Sequence, residues 1–120
     1  MTRLRTASPY LLGALLGTAG VLHFATPAFF DQIVPTVLPH PRLWTYASGV
    51  AELGVSALVL NPGTRQRGGL VAAGLFVAVF PANVQQALAS HGTEQVLALL
   101  RLPVQVPLVL WGLQVWRARA

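Results

Sequence analysis

The sequence predicts an all-α transmembrane four-helix bundle with a short amphipathic segment between its first two helices. Three observations carry that reading. Charged residues are 9% of the 120-residue chain, against about 25% in an average soluble domain. A soluble globule this small has a large surface to cover with polar groups, and the few charges here cannot cover it. Four apolar runs each approach the roughly 20 residues that cross a hydrocarbon core as a helix. The arginines gather at the ends of those runs, which is how a topology signal looks and is not a basic binding face. A cytosolic enzyme, a disordered tail and a nucleic-acid module are excluded on composition. No cysteine is present, so disulfides, thiolate metal sites and thiol relays are excluded too.

The first helix is expected over about 9–27. Its run PYLLGALLGTAGVLHFATP has only Tyr10 and His23 as titratable side chains. That run is longer than the apolar stretch of a secretory signal, so it reads as a span rather than a cleaved leader. The connection TPAFFDQIVPTVLPHPRL follows. Phe29, Phe30, Ile33, Val34 and Val37 recur at helical spacing, which predicts a short amphipathic helix broken near Pro35 and lying at the interface or over the bundle as a lid; a packed loop is the alternative. Asp31 is placed either to pair with Arg42 or to cap this segment.

The second helix is expected over about 44–61, with Glu52 as its one charge. Asn61, Pro62 and Gly63 then make a turn that Arg65 and Arg67 render basic. The third spans about 68–90 with no charge, and the fourth about 96–116 with Arg101 inside it. Four crossings put Arg3, Arg5, Arg65, Arg67, Arg117 and Arg119 on one side; by the positive-inside rule that side, with both termini, is cytoplasmic. Helices in lipid associate by close packing and polar contacts. Gly13, Gly17 and Gly20, then Ser48, Glu52 and Ser56, then Gly74, Ala78 and Ala82 are therefore expected to face the interior. Pro81, Pro103 and Pro107 each remove an amide donor inside a helix. Trp44, Tyr46, Trp111 and Trp116 read as interface anchors.

The chemistry is expected in a polar layer. At about 1.5 Å per residue, His23, Asn83 and Arg101 stand about 21–22 Å up their helices from the arginine-rich ends, Gln105 about 17 Å up, and Glu52 about 12 Å below its outer end. Ionisable groups within spans are costly, face the interior and mark sites. A Glu52–Arg101 ion pair, direct or water-bridged, is expected, with His23 as a third member whose charge switches near neutrality. Asn83 and Gln105 add neutral hydrogen bonds. The bland alternative is that these groups only fix helix register. No phosphate loop, zinc-binding helix motif or nucleophile elbow occurs, and His23 with Glu52 is too few ligands for a firmly held metal.

GVLHF, FFDQIVPTVLP, SGVAELGVSALVL, FVAVFPANVQQAL and LRLPVQVPLVLWG together resemble the DoxX-like family of small bacterial membrane proteins, from about Gly20 to Trp116. The resemblance implies a four-helix protein of the bacterial inner membrane. The family name comes from a subunit of a thiosulfate:quinone oxidoreductase, and mycobacterial relatives are linked to a membrane oxidoreductase complex handling thiols and superoxide. The lack of cysteine sets this chain apart from any thiol relay. Three function classes stay open. One is a quinone-linked accessory subunit with His23, Glu52, Asn83, Arg101 and Gln105 at the head group, no covalent cofactor, and electrons from a soluble oxidoreductase partner. The second is a binding or transport module for a small lipophilic molecule, dimerised through its glycine faces. The third is a structural anchor. Whether the chain catalyses anything is left open.

Overall fold

Residues 2–34 and 37–118 are described by a computed structural model. The predicted class holds: five helices form, α1 (Thr2–Ala25), α2 (Pro27–Asp31), α3 (Pro41–Leu60), α4 (Arg65–Ala89) and α5 (Gly92–Arg117). The four long ones are each apolar and long enough to cross a membrane. The molecule is 43 Å along its longest axis, matching the roughly 40–45 Å of a bilayer with its head groups. It is a multi-pass membrane protein.

All four long helices begin before their expected starts, α1 and α5 by the most. α1 begins at Thr2 rather than near Pro9, and α5 at Gly92 rather than near Val96. Hydropathy marks where a helix meets lipid, whereas a polar first turn in water continues the same hydrogen-bond ladder. In α5 that turn carries Glu94, an acid where the helix dipole favours one. The link from α4 to α5 is only Ser90 and His91, and Gly92 closes it at φ 63°, a left-handed conformation suited to glycine. α4 and α5 stay helical through Pro81, Pro103 and Pro107.

The α3–α4 turn is fixed by side chains. The Gly63 amide donates to Asn61 Oδ1 at 3.0 Å, and Thr64 Oγ1 donates to Leu58 O at 2.8 Å. Arg65 donates from Nε to Val59 O at 2.9 Å and from Nη2 to Leu60 O at 3.2 Å. These bonds satisfy carbonyls that a helix C-terminus leaves open.

Packing is pairwise. α1 lies against α3, α4 against α5, and α3 against α4, while α1 and α5 touch little. On α1 the predicted glycine face is inward: a Cβ on Gly17 would meet Ser56 Oγ at 3.1 Å, and one on Gly20 would meet Gly49 O at 3.1 Å. Ser56 Oγ donates to Gly13 O at 2.6 Å across the same seam. These glycines are thus spent inside the bundle and are not free for dimerisation.

On α4 the expected stripe is wrong. Gly74 and Ala78 face outward, and nothing stands within 4 Å of a Cβ at Gly74. The buried arc is Gly68, Gly69, Ala72, Ala73 and Phe76. Gly74 lies about 200° round the helix from Ala72. α4 must serve two neighbours, Gly68 approaching Val59 of α3 and Gly69 approaching Gly112 of α5, and that demand selects the arc. The core above it is Leu12, Leu16, Val55, Val59, Phe76 and Val115.

The ends are not level. Gly17 faces Ser56 and Gly49 faces His23, so α1 stops opposite the middle of α3. The first eight residues of α3, roughly 12 Å, overhang it. α2 fills that step.

Candidate functional site

His23 sits in the last turn of α1 and is 7% exposed. Its Nδ1–H donates to Ala19 O at 2.7 Å, which leaves Nε2 as the nitrogen able to accept. Glu52 projects from α3 toward the same ring, with Oε2 3.4 Å from Nδ1. That nitrogen is already committed to Ala19. Glu52 Oε2 has no hydrogen-bond partner and is shut from solvent, and Gln105 Oε1 on α5 is in the same state. Unsatisfied buried acceptors are uncommon and each costs about 1–3 kcal/mol. Gly49 makes the approach feasible, because a Cβ there would meet His23 Cβ and the Phe24 ring, both at 2.8 Å.

α2 closes the outer side. Phe30 stacks on His23 with ring centroids 3.7 Å apart and planes 19° apart. Phe29 lies beneath Arg101, whose guanidinium carbon is 5.1 Å from the ring centroid. Asp31 accepts from Thr45 Oγ1 at 2.6 Å and from Arg42 Nε at 2.9 Å. The Thr45 hydroxyl, with Arg42 beside it, holds the Asp31 carboxyl below the usual carboxylate range, against the burial that pushes it up. Three consecutive side chains of a five-residue helix therefore reach α1, α5 and α3. This cap was legible as an amphipathic lid, and its pairing of Asp31 with Arg42 was one of the expected alternatives. The roles of Phe29 and Phe30 were missed; the signal available was an aromatic pair directly before an acid, after a proline that starts the turn. The helix ends at Asp31, before Ile33 and Val34, so it breaks earlier than expected; Pro35 itself lies outside the described residues, as do Arg119 and the side chain of Arg5.

The direct Glu52–Arg101 pair does not form. Among the described residues the ion pair is Asp31–Arg42, and Glu52 makes an acid–imidazole contact with His23. Arg101 instead donates from Nη1 to Gln86 Oε1 at 3.2 Å. Stagger explains the difference. With Val59 beside Gly68, Glu52 stands seven residues above that level and Asn83 fifteen, which is about 12 Å of separation along the axis. The expected single layer is two tiers. The one farther from the arginine-rich end holds Arg101, Gln86 and Asn83; the inner one, nearer it, holds His23 and Glu52, with Gln105 falling between, and α2 touches both through Phe29 and Phe30. Asn83 is buried. His40 and His91 are exposed, as expected for loop histidines. Trp111 is more than an interface anchor, since its Nε1 donates to Ser8 Oγ at 2.9 Å and ties α5 to α1. Among the described residues no cluster of three metal-ligating side chains occurs.

At the end away from the arginine-rich turn lies a surface cleft of about 260 Å³ lined by Gln32, Gln86, Ser90 and Glu94 among others, and none of His23, Glu52, Asn83, Arg101 or Gln105 lines it. The inner tier is instead a packed acid–imidazole contact under an aromatic cover. Such a contact can exchange a proton or a hydrogen bond with a polar group that displaces the cover.

No curated protein and no solved structure matches the chain. Residues 12–116 match the family described as a domain of unknown function, DUF8561, and with that match covering nearly its whole length the chain belongs to that family.

Proposed function

We propose that this protein is a quinone-interacting accessory subunit of a membrane oxidoreductase system in the bacterial inner membrane, with both termini cytoplasmic, related to the DoxX-like proteins that residues 20–116 resemble. The observation that carries this reading is the unpartnered Glu52 Oε2 beside His23. A carboxyl oxygen enclosed in a span, next to an imidazole and without a hydrogen bond of its own, is suited to an intermittent polar ligand.

A quinone carbonyl needs a hydrogen-bond donor, and its two-electron reduction consumes two protons. In this reading Glu52 and His23 meet the head group and carry those protons, and Gln105 supplies a neutral hydrogen bond; Asn83, about 12 Å farther along the axis than Glu52, is out of the head group's reach. Arg101 holds Phe29 and so acts on the cap rather than on the carbonyl. Phe30 must leave His23 for the head group to arrive. The electrons come from a soluble partner, since the chain has no cysteine and no metal cluster among its described residues.

The test is extraction of the purified protein and quinone titration. Co-purified menaquinone or ubiquinone, with saturable binding weakened about tenfold or more in Glu52→Gln, supports the proposal. No bound quinone and no saturable binding would sink it. A second reading, the structural anchor, is favoured by the packed state of the His23–Phe30 stack. It expects Glu52→Gln with Arg101→Gln to stay folded, inserted and able to recruit its partner.

A further inference from the structure

A second cavity lies at the arginine-rich end, remote from His23 and Glu52. It is a cleft of about 1270 Å³ between the start of α1, the α3–α4 turn and the end of α5. Small-molecule pockets run to roughly 300–1,000 Å³, so this one has room for a larger occupant.

Its lining has two halves. Pro9, Tyr10, Leu110 and Leu113 make an apolar wall, and Arg65, Arg67 and Arg117 bring charge. Arg65 is occupied: it holds the carbonyls of Val59 and Leu60 and lies 4.9 Å over the Tyr10 ring. Arg67 and Arg117 are exposed, and neither has an ion pair or hydrogen bond among the described residues. The chain's three acidic side chains cannot neutralise them. Asp31 belongs to α2 and Glu94 to the first turn of α5, both at the opposite end, and Glu52 is turned to His23. Two guanidiniums with no acidic side chain beside them therefore border a cleft with one apolar wall.

The cleft also opens where the bundle is loosest. α1 and α5 touch little, and they are clamped by Ser8 Oγ donating to Gln114 Oε1 at 2.6 Å and by Trp111 Nε1 donating to Ser8. Tyr10, Leu11 and Leu110, on the two helices of this seam, are all at least half exposed. An occupant must be anionic at one end and apolar along the α1–α5 seam.

We infer that this cleft is a binding site for an anionic phospholipid, its phosphodiester on Arg67 and Arg117 and its acyl chains along the groove between α1 and α5. Basic pockets between transmembrane helices hold such head groups by the same chemistry. Positively charged loops alone would attract anionic lipid diffusely; a cleft with one apolar wall, bordered by Arg67 and Arg117, makes the contact stoichiometric. The inference stands apart from the quinone reading, since it uses none of the same residues.

The experiment is native mass spectrometry of the full-length protein in detergent, titrated with phosphatidylglycerol or with phosphatidylcholine of the same chains. One phosphatidylglycerol should be retained in preference to phosphatidylcholine. Arg67→Gln with Arg117→Gln should weaken that binding about 30-fold. Both side chains lack partners in the bundle, so the double variant should fold normally by circular dichroism. Arg42→Gln, one charge removed at the other end, should leave binding unchanged. Equal retention of the two lipids, or an Arg42→Gln loss matching that of Arg67→Gln, would overturn the site. Inorganic phosphate should fail to displace the lipid; displacement at comparable concentrations would assign the cleft to a free anion instead.

Discussion

The α4–α5 seam and the α1–α3 seam both begin from glycine and differ in what the glycine meets. At Gly69 and Gly112 it meets backbone: a Cβ on Gly112 would lie 2.8 Å from Ala73 N and 2.8 Å from Gly69 O. At Gly17 and Gly49 it meets side chains, those of Ser56, His23 and Phe24. At those two glycines the first seam brings two main chains into contact, and its polar contact, Arg101 on Gln86, stands farther along the helices. The second brings main chain close only where Gly20 faces Gly49 O, and elsewhere keeps the helices a side chain apart, in a space that holds the Ser56 bond, the imidazole and the carboxyl. In a lipid setting both close packing and polar contacts join helices, and the two seams divide them differently.

The sharpest way to break that division is at Gly112. Gly112→Leu places a side chain against backbone that cannot yield, and should destabilise by about 3 kcal/mol or more, read as a lowered midpoint in denaturant-induced unfolding in micelles. A loss below about 0.5 kcal/mol would mean α4 and α5 are not in contact there.

Gly49→Ala strikes the other seam and should do less, about 1–2 kcal/mol, because the Phe24 ring can swing away and only the His23 Cβ must be pushed back with its helix. It should move the His23 imidazole off Phe30, visible as loss of the ring-current shift on its protons. An unaltered His23 spectrum would contradict the approach of α3 to α1.

Ser56→Ala removes the bond to Gly13 O and should cost about 0.6–1.7 kcal/mol, the range of interhelical hydrogen bonds in lipid. At the small end stands Gly74→Ala. Nothing faces that position, so better helix propensity should leave stability unchanged or raise it by up to about 1 kcal/mol; a clear loss would restore the inward stripe.

The α2 cap adds a pH test. Asp31 titrates below its ordinary range when α2 is docked. The stabilisation it lends is therefore complete above the unfolded value and is lost as pH falls through the docked one, in the acid region below roughly pH 4. Protection of the α2 amides, taken relative to the unstructured chain at each pH, should be flat from neutral down to that point, then fall. Asp31→Asn should lower it at every pH. A fall in the unaltered protein near pH 7 would show that another group holds the cap.

The spans, their number and the turn at Asn61–Gly63 were legible because hydropathy and turn chemistry are local. Glu52 and Arg101 stand out in apolar runs for the same reason. Of their partners, His23 was expected beside Glu52, and Gln86 in place of Glu52 beside Arg101 was not. Depth was counted from the end of each helix, and α1 ends opposite the middle of α3. That stagger is set by Gly17, Gly20 and Gly49 fitting their neighbours, which is tertiary. Likewise the inward arc of α4 depends on serving α3 and α5 together, so Gly74 and Ala78 looked no less suited to the core than Gly69 and Ala73.

The contact between the α1 imidazole and the α3 carboxyl can be measured directly. Solid-state NMR on the bilayer-embedded protein, with ¹⁵N in histidine and ¹³C at the glutamate carboxyl, reads the coupling from His23 to Glu52. A fast dephasing build-up, as required of a carboxyl carbon whose Oε2 lies 3.4 Å from Nδ1, abolished in Glu52→Gln, is the expected result. A signal that does not dephase, or one that persists in Glu52→Gln, would place the two side chains apart and leave the inner tier without its pair.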